Sequence, residues 1–433
     1  MATPDAPPLH PALLTDRYEL TMIAAALADG TADRDCVFEA FARRLPHGRR
    51  YGVLAGTSRL LEALPRFRFG DVELATLREQ GLTDPRLLDW LADFTFSGDI
   101  EGYAEGELYF PGSPVLTVRA PFAEGVLLET LVLSVLNHDS AIASAAARMV
   151  GAACGRPCIE MGSRRTHEEA AVASARAAYL AGFASTSNLE AGRRYGVPTT
   201  GTSAHAFTLL HDEEEAAFRA QVAVLGKGTT LLVDTYDVDQ GIRTAVEVAG
   251  PELGGVRLDS GDLPTLAAHA RELLDELGAT GTRIIVTSDL DEYAIAGLMA
   301  APVNGYGVGT SLVTGSGAPT MGMVYKLVER DGVPVAKRAE GKHSVGGRKR
   351  AVRRHDEHGT AVAEVISSGA IAPEDGDREL VVPLVEGGRV LADATPVQAL
   401  VEARAHHERV RAALPPEAWA LSRGDCAVEI VTP

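Results

Sequence analysis

Cysteine is scarce in this chain, with 4 residues in a length of 433. Small secreted proteins that rely on disulfides contain many more. Cys154 and Cys158 in "CGRPC" lack the second pair of ligands that a structural zinc site would need. The shortage argues against a disulfide framework and against such a zinc site, so we interpret the cysteines as ordinary thiols.

Basic residues and long apolar runs are also in short supply. The chain has 41 Lys and Arg against 59 Asp and Glu, a formal net charge of −18, and this charge would repel a nucleic acid or an anionic membrane. No apolar run approaches the roughly 18 residues of a membrane span, and prolines stand near the start where a secretory signal would need an apolar stretch. We therefore expect a cytoplasmic protein with no nucleic-acid or membrane partner.

The central part of the sequence contains a repeated pattern. Short β-branched or apolar runs end in polar clusters, and each is followed by an amphipathic helix pattern. The runs are "PCIEMGSRR", "FASTSN", "PTTGTSAH", "TTLLVDTYD", "GGVRLDSGD", "TRIIVTSD" and "NGYGVGTSLVTG". Strands that alternate with helices predict parallel βαβ units, and about seven in succession favour an α/β barrel over an open doubly wound sheet. The open sheet remains the alternative.

The two ends of the chain have a different pattern, which mixes helices with hairpin-like stretches that turn at glycines. Neither end buries enough apolar surface alone, so we expect the two ends to form one domain. The predicted organisation is a barrel domain at residues 126–320 and a second, β-rich, sandwich-like α+β domain built from residues 1–125 and 321–433.

Polar side chains collect at the C-terminal ends of the predicted strands, where the catalytic side chains of α/β barrels converge. In "GVRLDSGDL", Arg257, Asp259 and Asp262 lie within one short stretch. Carboxylates can hold sugar hydroxyls or a Mg²⁺ carried by a diphosphate, and an arginine can stack on a ring or pair with an anion. We assign Arg257 and Asp259 to the site, whereas Asp262 is explained equally well as the N-cap of the next helix.

His205 stands among small hydroxyl residues in "TTGTSAHAF", and the next strand, "LLVDTYD", ends with Asp234 and Asp237 nearby. A carboxylate on one imidazole nitrogen leaves the other nitrogen available as a base or nucleophile. The pattern predicts a catalytic His205 that faces Asp234 or Asp237, and the choice between them depends on a shift of register.

Glycines precede a hydroxyl residue in the last unit of the series. Gly305, Gly307 and Gly309 stand before Thr310 in "GYGVGTS". Backbone N–H groups freed by glycine, followed by a hydroxyl, suit a phosphate at a helix N-terminus, and late barrel loops often hold one. This stretch therefore predicts a phosphate site.

Arginines recur where an anionic substrate would need them. Arg164 and Arg165 end a strand in "MGSRRTH", and we expect them to bind phosphate or carboxylate. Arg43 and Arg44 in "FARRLP" and the basic run at residues 342–354 are less specific. The sequence does not decide whether these last groups contact diphosphate, ATP or only water.

In their order and spacing, these stretches resemble the nicotinate phosphoribosyltransferase family, which acts first in NAD salvage from nicotinic acid. The motifs that carry the resemblance span almost the whole chain: "LLTDRYELTM", "FEAFARRLP", "YFPGSPVLTVRAPFAEGVLLETLVLSVLN", "MGSRRTH", "GTSAHAF", "LLVDTYD", "GVRLDSGDL", "YGVGTSLVTG" and "VYKLVE". The family implies an irregular α/β barrel with a β-rich partner domain, in a homodimer whose active sites share residues. It also implies Mg²⁺ and ATP as a co-substrate, although the Mg²⁺ ligands stay unassigned.

The resemblance implies roles for three residues at the pyridine ring. Tyr18 would reach the ring from the neighbouring subunit, Thr202 would bond the nicotinate carboxylate, and Arg257 would pack on nicotinate or pair with it. His205 matches the family's histidine that ATP phosphorylates, and Asp234 would orient its ring.

The resemblance implies further roles on the phosphoribosyl pyrophosphate side. Asp259 would hold the ribose hydroxyls, and Arg164 or Arg165 would lie on the diphosphate side. Thr310, with Gly307 and Gly309 before it, would take the 5-phosphate.

Three other functions are weighed against this one. The related nicotinamide enzyme places an acid beside the ring, but the matching strand end, "ASTSN" with Thr186, Ser187 and Asn188, has none, which favours nicotinate. A sugar-phosphate isomerase or aldolase would be favoured by a Schiff-base lysine at a strand end, but Lys227 falls in a helix-to-strand turn and Lys326 after the series. A non-enzymatic regulator would be expected to lose motif residues, and the Arg, Asp and His of these motifs are all kept.

Overall fold

The computed structural model describes residues 11–337 and 345–432. The chain divides into two compact units. One is formed by the two chain ends, up to Ala141 and from Thr320 onward, and the other, central unit is Ile142–Pro319. The central unit begins later than residue 126, where the sequence placed the barrel domain. The stretch before it belongs to the first unit because Leu131, Val132 and Leu136 lie in that unit's apolar core.

Helices form where apolar residues recur at helical spacing and a capping residue precedes them. Asp237, for example, accepts a hydrogen bond from the backbone N–H of Gln240. In chain order, the α-helices of the described residues are α1 (Arg17–Asp29), α2 (Thr57–Ala63), α3 (Asp71–Glu79), α4 (Pro85–Asp93), α5 (Phe122–Leu127), α6 (Glu129–Ala153), α7 (Glu168–Leu180), α8 (Leu189–Tyr195), α9 (His205–Leu209), α10 (Glu214–Leu225), α11 (Val238–Ala249), α12 (Leu263–Glu276), α13 (Glu292–Gly297), α14 (Thr310–Val313) and α15 (Pro396–Ala412).

Strands form at the β-branched and aromatic runs. Those of the described residues are β1 (Asp35–Ala42), β2 (Gly52–Val53), β3 (Asp99–Tyr103), β4 (Leu108–Tyr109), β5 (Leu116–Pro121), β6 (Cys158–Glu160), β7 (Ser185–Thr186), β8 (Thr230–Leu232), β9 (Gly255–Leu258), β10 (Arg283–Val286), β11 (Gly305–Val308), β12 (Met323–Arg330), β13 (Val333–Pro334), β14 (Arg350–His355), β15 (Ala361–Ser367), β16 (Arg378–Glu379), β17 (Val381–Glu386), β18 (Arg389–Val390) and β19 (Glu429–Val431).

The unit made by the chain ends contains a seven-stranded sheet in the order β13-β12-β1-β5-β3-β17-β18. Within it, β1 is antiparallel to β5 on one side and to β12 on the other, so the N-terminal and C-terminal parts of the chain share one sheet. Phe38 of β1 stacks on Tyr325 of β12, with ring centroids 5.1 Å apart, in the core beneath it. Smaller sheets in the order β16-β14-β15-β19 and β2-β4 complete the β-rich part.

The central unit contains a six-stranded sheet in the order β7-β6-β11-β10-β9-β8. Each neighbouring pair is parallel, and helices follow the strands, so the predicted α/β architecture with parallel strands is confirmed. The first strand of the series, β6, pairs with the last, β11. The predicted strand "PTTGTSAH" forms only one bridge, between Thr199 and Thr186 of β7. Within the described residues, the sheet order therefore ends at β7 and β8, and no ladder joins these two edges.

One apolar stretch, Phe122–Ala153, is long and apolar enough to cross a membrane by length and composition. The prediction from the sequence that the chain has no such run was wrong. Within the most apolar window of this stretch, 61% is buried inside the protein. Core helices often pass the same test, so the stretch is weak evidence for a membrane span.

Candidate active site

Arg257 joins three chain segments at the C-terminal edge of the parallel sheet. It lies on β9, and only 12% of its side chain is exposed. Its Nε donates to Thr287 Oγ1 at 3.0 Å, and its Nη1 donates to Thr202 Oγ1 at 3.2 Å and to the carbonyl oxygen of Ser203 at 3.1 Å. Its Nη2 donates to Asp259 Oδ1 at 3.2 Å. The guanidinium is therefore fixed in one orientation at the edge of the sheet.

Asp259 is an ionised carboxylate beside this guanidinium. Burial by itself would raise the pKa of Asp259, but the hydrogen bond from Thr287 and the charge of Arg257 outweigh burial and hold the pKa below its usual value. The residue stays partly open, with 30% of its side chain exposed. The edge therefore offers a fixed cation and a fixed anion side by side, which suits a substrate that carries both an acid group and sugar hydroxyls.

His205 is the first residue of α9, and 38% of its side chain is exposed. Its Nδ1 lies 3.1 Å from Thr235 Oγ1, and its Nε2 lies 3.7 Å from Asp259 Oδ2. A hydroxyl thus orients one ring nitrogen, and the other faces a carboxylate near the solvent. The expected closeness of His205 to the other site residues is seen in the structure.

The prediction that Asp234 orients His205 was wrong. Asp234 Oδ2 instead accepts hydrogen bonds from the backbone N–H of Asp259 at 2.7 Å and from Ser260 Oγ at 3.0 Å. Both residues lie beyond the end of β8, where Thr235 faces the imidazole and Asp234 faces the end of β9. Asp237 does not face His205 either, because its carboxylate caps α11.

Asp262 takes the structural role that the sequence left open. Its Oδ1 accepts the backbone N–H of Thr265 at 3.2 Å and caps α12. The carboxylate of Asp262 is therefore already engaged by the backbone of α12.

Arg164 and Arg165 lie in a short 3₁₀ turn, Ser163–Arg165, directly after β6. Both side chains are exposed. The turn lies next to the start of α14, because a Cβ at Gly162 would stand 3.2 Å from the carbonyl oxygen of Gly309. Two exposed cations and the residue that precedes Thr310 are thus close together at this edge.

Gly307 is not part of a phosphate-binding loop, contrary to the prediction. It lies inside β11 and is paired with Ile159 of β6. A Cβ at this position would come within 2.5 Å of Thr287 Cγ2 and 2.8 Å of Met161 Sδ. The glycine is required because side chains pack against it, whereas Gly309 and the exposed Thr310 do lie at the start of α14, as expected.

Several predicted residues lie in the other compact unit. Tyr18 lies on α1 with 46% of its surface exposed, and burial together with Glu129 raises the pKa of its hydroxyl. Arg43 and Arg44 are exposed just after β1.

The basic run does not form a free cationic surface where the structure describes it. Its residues 342–344 lie outside the described residues. The other cations pair with acids: Arg348 with Glu101, Lys349 with Glu39, Arg350 with Glu379, Arg353 with Glu364, and Arg354 with Glu374.

Two site residues were missed by sequence reasoning. Thr287 bonds both Arg257 and Asp259, and it follows β10 in "IIVTSD", at the kind of strand end from which the other residues were chosen. The next residue, Ser288, has a φ of 122°, a conformation that L residues rarely adopt. The second, Thr235, stands in the motif "LLVDTYD", but the sequence analysis assigned it no role.

The strand end "ASTSN", which contains no acidic residue, does contact one, Glu160. Thr186 is fully buried, and its hydroxyl donates to Glu160 of the neighbouring strand β6. Burial raises the pKa of Glu160, against the opposing effect of the hydrogen bonds from Thr186 and Gly162. The exposed residue at this end, Ser187, carries no charge.

Among the described residues, no group of three or more His, Cys, Asp or Glu is arranged to hold a metal ion. One oxygen suits a cation: Asp234 Oδ1 is buried and has no hydrogen-bond partner within the described part of the chain. Mg²⁺ is commonly held by one or two carboxylates together with substrate phosphates. The residues present therefore fit a Mg²⁺ that arrives with a diphosphate.

Comparison with known sequences gives a consistent result. A sequence model of the nicotinate phosphoribosyltransferase (NAPRTase) N-terminal domain matches residues 13–137. The chain is 64% identical over 393 residues to a nicotinate phosphoribosyltransferase of Mycobacterium tuberculosis, covering 88% of this chain and 87% of that protein. It is 40% identical over 332 residues to the nicotinate phosphoribosyltransferase of Bacillus subtilis, covering 74% and 67%.

Solved structures agree. The crystal structure of human nicotinic acid phosphoribosyltransferase matches with a TM-score of 0.84 and 26% identity over 97% of both chains. Nicotinate-nucleotide pyrophosphorylase from Pyrococcus furiosus shares the fold, with a TM-score of 0.78 and 23% identity over 95% of this chain and 99% of that one. By sequence identity over most of its length and by fold, the chain belongs to the nicotinate phosphoribosyltransferase family and is an enzyme of that type.

Proposed function

We propose that this enzyme joins nicotinate to C1 of phosphoribosyl pyrophosphate, which yields nicotinate mononucleotide and diphosphate for NAD salvage, and that ATP hydrolysis is coupled through His205. The observation that carries the proposal is the cluster of Arg257, Asp259 and His205 at one edge of the sheet. It places a cation, an anion and an exposed imidazole within reach of one small substrate pair.

Nicotinate would bind at Arg257. The guanidinium presents a planar cation that can pair with the carboxylate or stack on the ring. Thr202, whose oxygen accepts a hydrogen bond from Arg257, can donate one from its hydroxyl to the same carboxylate. Tyr18 would cover the ring from a second copy of the chain in a homodimer. The exposure of Tyr18 supports this.

Phosphoribosyl pyrophosphate would bind along the neighbouring strand ends. Asp259 can accept hydrogen bonds from the ribose hydroxyls, and Gly309 with Thr310 can bind the 5-phosphate. The exposed Arg164 and Arg165 would hold the diphosphate. Mg²⁺, when bound, would offset diphosphate charge, and the unpartnered Oδ1 of Asp234 would be a ligand for it.

The chemistry is a substitution at C1. The pyridine nitrogen forms a bond to C1 as the C1–oxygen bond to diphosphate breaks, through an oxocarbenium-like state. The protein positions both partners, and its arginines stabilise the negative charge that develops on the leaving group. Asp259, held ionised, stabilises the positive charge that develops on the ribosyl group.

His205 would act as a phosphoryl acceptor. Because Thr235 bonds Nδ1, Nε2 is the nitrogen left to attack the γ-phosphorus of ATP and release ADP, and water later takes the phosphoryl group as phosphate. A phosphoryl group on Nε2 would lie beside Asp259, so the charge of the site would differ between the two states. This difference is the basis for switching between tight and loose substrate binding.

The architecture supports a barrel with one opening. The first strand of the series, β6, lies beside the last, β11, and within the described residues no ladder joins β7 to β8. This cyclic order of neighbours supports a barrel that is open between the segment at Thr199 and β8. The bonds from Arg257 to Thr202 and Ser203 cross that opening. We include the irregular barrel in the proposal, together with a cytoplasmic location, which the four free cysteines support.

The rival functions have less support. Lys227, the one lysine in residues 142–319, precedes β8 and so lies at the opposite edge of the sheet from His205. An aldolase of the Schiff-base type would need an amine at the same edge as the other site residues. Nicotinamide as the base is disfavoured because Ser187 carries no acid to receive an amide.

Phosphorylation of His205 can be tested directly. Wild-type protein incubated with γ-labelled ATP should carry an acid-labile label, and His205→Ala should lose both the label and the stimulation by ATP while some basal transfer remains. His269→Ala is the matched control, because His269 is an exposed histidine of the same unit that pairs with Asp239 at 2.7 Å. Unchanged ATP dependence in His205→Ala would refute the coupling.

A further inference from the structure

Glu160 is a fully buried carboxyl at the end of β6. Among the described residues, no lysine or arginine forms an ion pair with it. Its Oε1 accepts the backbone N–H of Gly162, and its Oε2 accepts the hydroxyl of Thr186. A buried acid without a cation is costly to a fold, so its presence calls for a reason other than stability.

The partners of Glu160 form a closed ring of hydrogen bonds. Thr186 Oγ1 accepts the backbone N–H of Asn188 at 2.9 Å, and Asn188 Nδ2 donates to Ser163 Oγ at 3.0 Å. Ser163 follows Gly162, whose N–H returns to Glu160. The ring therefore fixes the end of β7 against the turn that follows β6.

That turn carries the two exposed arginines of the edge. Gly162 precedes it, and the backbone N–H of Arg165 donates to the carbonyl oxygen of Gly162 at 2.8 Å. A side chain at Gly162 would collide with Val313 Cγ1 at 2.2 Å and crowd Glu160 Oε1 at 3.0 Å. The position of the turn is thus set by the carboxyl of Glu160 on one side and by α14 on the other.

We propose that Glu160 is a positioning residue that holds the turn of Arg164 and Arg165 in the orientation that binds the diphosphate of phosphoribosyl pyrophosphate. The inference rests on the proposed function. Glu160 does not touch substrate, because it is buried and both its oxygens are engaged. It acts through the backbone of Gly162 and through Thr186.

Two variants of unchanged size test the ring. In Glu160→Gln, one carboxylate oxygen is replaced by an NH₂ group, which cannot accept a hydrogen bond from the Thr186 hydroxyl. In Thr186→Val, the hydroxyl that donates this hydrogen bond is removed. Each should raise KM for phosphoribosyl pyrophosphate by about tenfold, because small misplacements of binding groups have large effects. KM for nicotinate should change less than twofold. The double variant should be no worse than the poorer single variant, since both break the same ring.

Gln221→Leu is the matched control. Gln221 is buried and bonds Thr229 Oγ1 and the carbonyl oxygen of Thr230 at 3.0 Å, at the start of β8 and so at the opposite edge of the sheet. Its loss should lower the melting temperature without changing either KM. Equal changes of both KM values in Glu160→Gln and Thr186→Val, or changes no larger than those in Gln221→Leu, would overturn the inference. If Glu160→Gln does not fold, Thr186→Val decides alone.

Binding of inorganic diphosphate separates this inference from the proposed function. Calorimetry on the wild type needs neither base nor ATP, and the two ring variants should weaken diphosphate binding by about tenfold as well. If the wild type binds diphosphate about tenfold more tightly than the ring variants but forms no mononucleotide from nicotinate, the proposed function fails, whereas the role of Glu160 in diphosphate binding stands. If diphosphate binding is equal in wild type and ring variants, the inference fails whatever the turnover.

Discussion

Arg257 Nη1 lies 3.2 Å from Thr202 Oγ1, and this hydrogen bond connects the end of β9 to the segment that leads into His205. Among the described residues, no strand ladder joins the two chain segments, so side-chain contacts such as this one link them. The same guanidinium also fixes the carboxylate of Asp259. Loss of Arg257 should therefore disturb the proposed nicotinate site, the proposed ribose site and the histidine segment at once.

Arg257→Lys should lower kcat/KM for nicotinate by about 100-fold or more. The compact ammonium group of lysine cannot reach Thr202, Thr287 and Asp259 together from one position. Steady-state kinetics with nicotinate as the varied substrate measure the effect. Arg283→Lys is the control, because Arg283 is exposed at the opposite end of β10. A loss of less than about fivefold in Arg257→Lys would show that its geometry does not matter.

Ser187→Asp should lower kcat/KM for nicotinate by about tenfold or more, because a carboxylate at this exposed strand end would repel the acid substrate. Use of nicotinamide relative to nicotinate should rise. The neutral replacement Ser187→Asn, of the same shape as the aspartate, should have little effect. Equal activity of Asp and Asn variants on nicotinate would contradict the placement of the base near this strand end.

Glu214 should make stability depend on pH near neutrality. Burial, with the charges of Asp234 and Asp237, raises the pKa of Glu214 from 4.5 to about 7. Because the folded state resists ionisation, stability is lost as the pH rises from 4.5 through 7. Glu214→Gln should therefore raise the melting temperature more at pH 8 than at pH 5. Glu213→Gln, the exposed neighbour, serves as control, and a gain that is equal at both pH values would count against the raised pKa.

Glu107, in the unit made by the chain ends, should give the opposite dependence of stability on pH. Burial would raise the pKa of Glu107, but hydrogen bonds from His406 and Arg378 and the charge of Arg353 lower it from 4.5 to about 2. Its stabilising effect is present above pH 4.5 and is lost as the pH falls towards 2. Glu107→Gln should therefore lower the free energy of unfolding by about 3 kcal/mol at pH 7.

The loss in Glu107→Gln should be smaller at pH 3.5 than at pH 7, as measured by denaturant unfolding. Glu402→Gln, on the exposed face of α15, controls for the loss of one negative charge. A penalty that does not change with pH would show that Glu107 is not held ionised by its partners.

Local patterns were sufficient to predict part of the site. The alternation of strands and helices predicted the parallel architecture. Arg257 and Asp259 were expected at one strand end because both stand in "GVRLDSGDL", and a hydrogen bond joins them in the structure. His205 was expected near them because parallel strands end at a common edge.

Other features depend on contacts that no local pattern records. The sequence predicted Asp234 or Asp237 at His205, but the residue found there is Thr235, a contact set by the path of the chain after β8. Gly307 was predicted to lie in a loop, because the sequence does not record that Met161 packs against it. Lys349 in the basic run pairs with Glu39, 310 positions away in the chain.

The most direct test of the account is an assay of purified protein with phosphoribosyl pyrophosphate and Mg²⁺, with labelled nicotinate, nicotinamide or quinolinate as the base, each with and without ATP. We predict mononucleotide from nicotinate, in larger yield when ATP is present. Product from nicotinamide in place of nicotinate would contradict the assignment of the substrate, and no product from any of the three bases would contradict the proposed function as a whole.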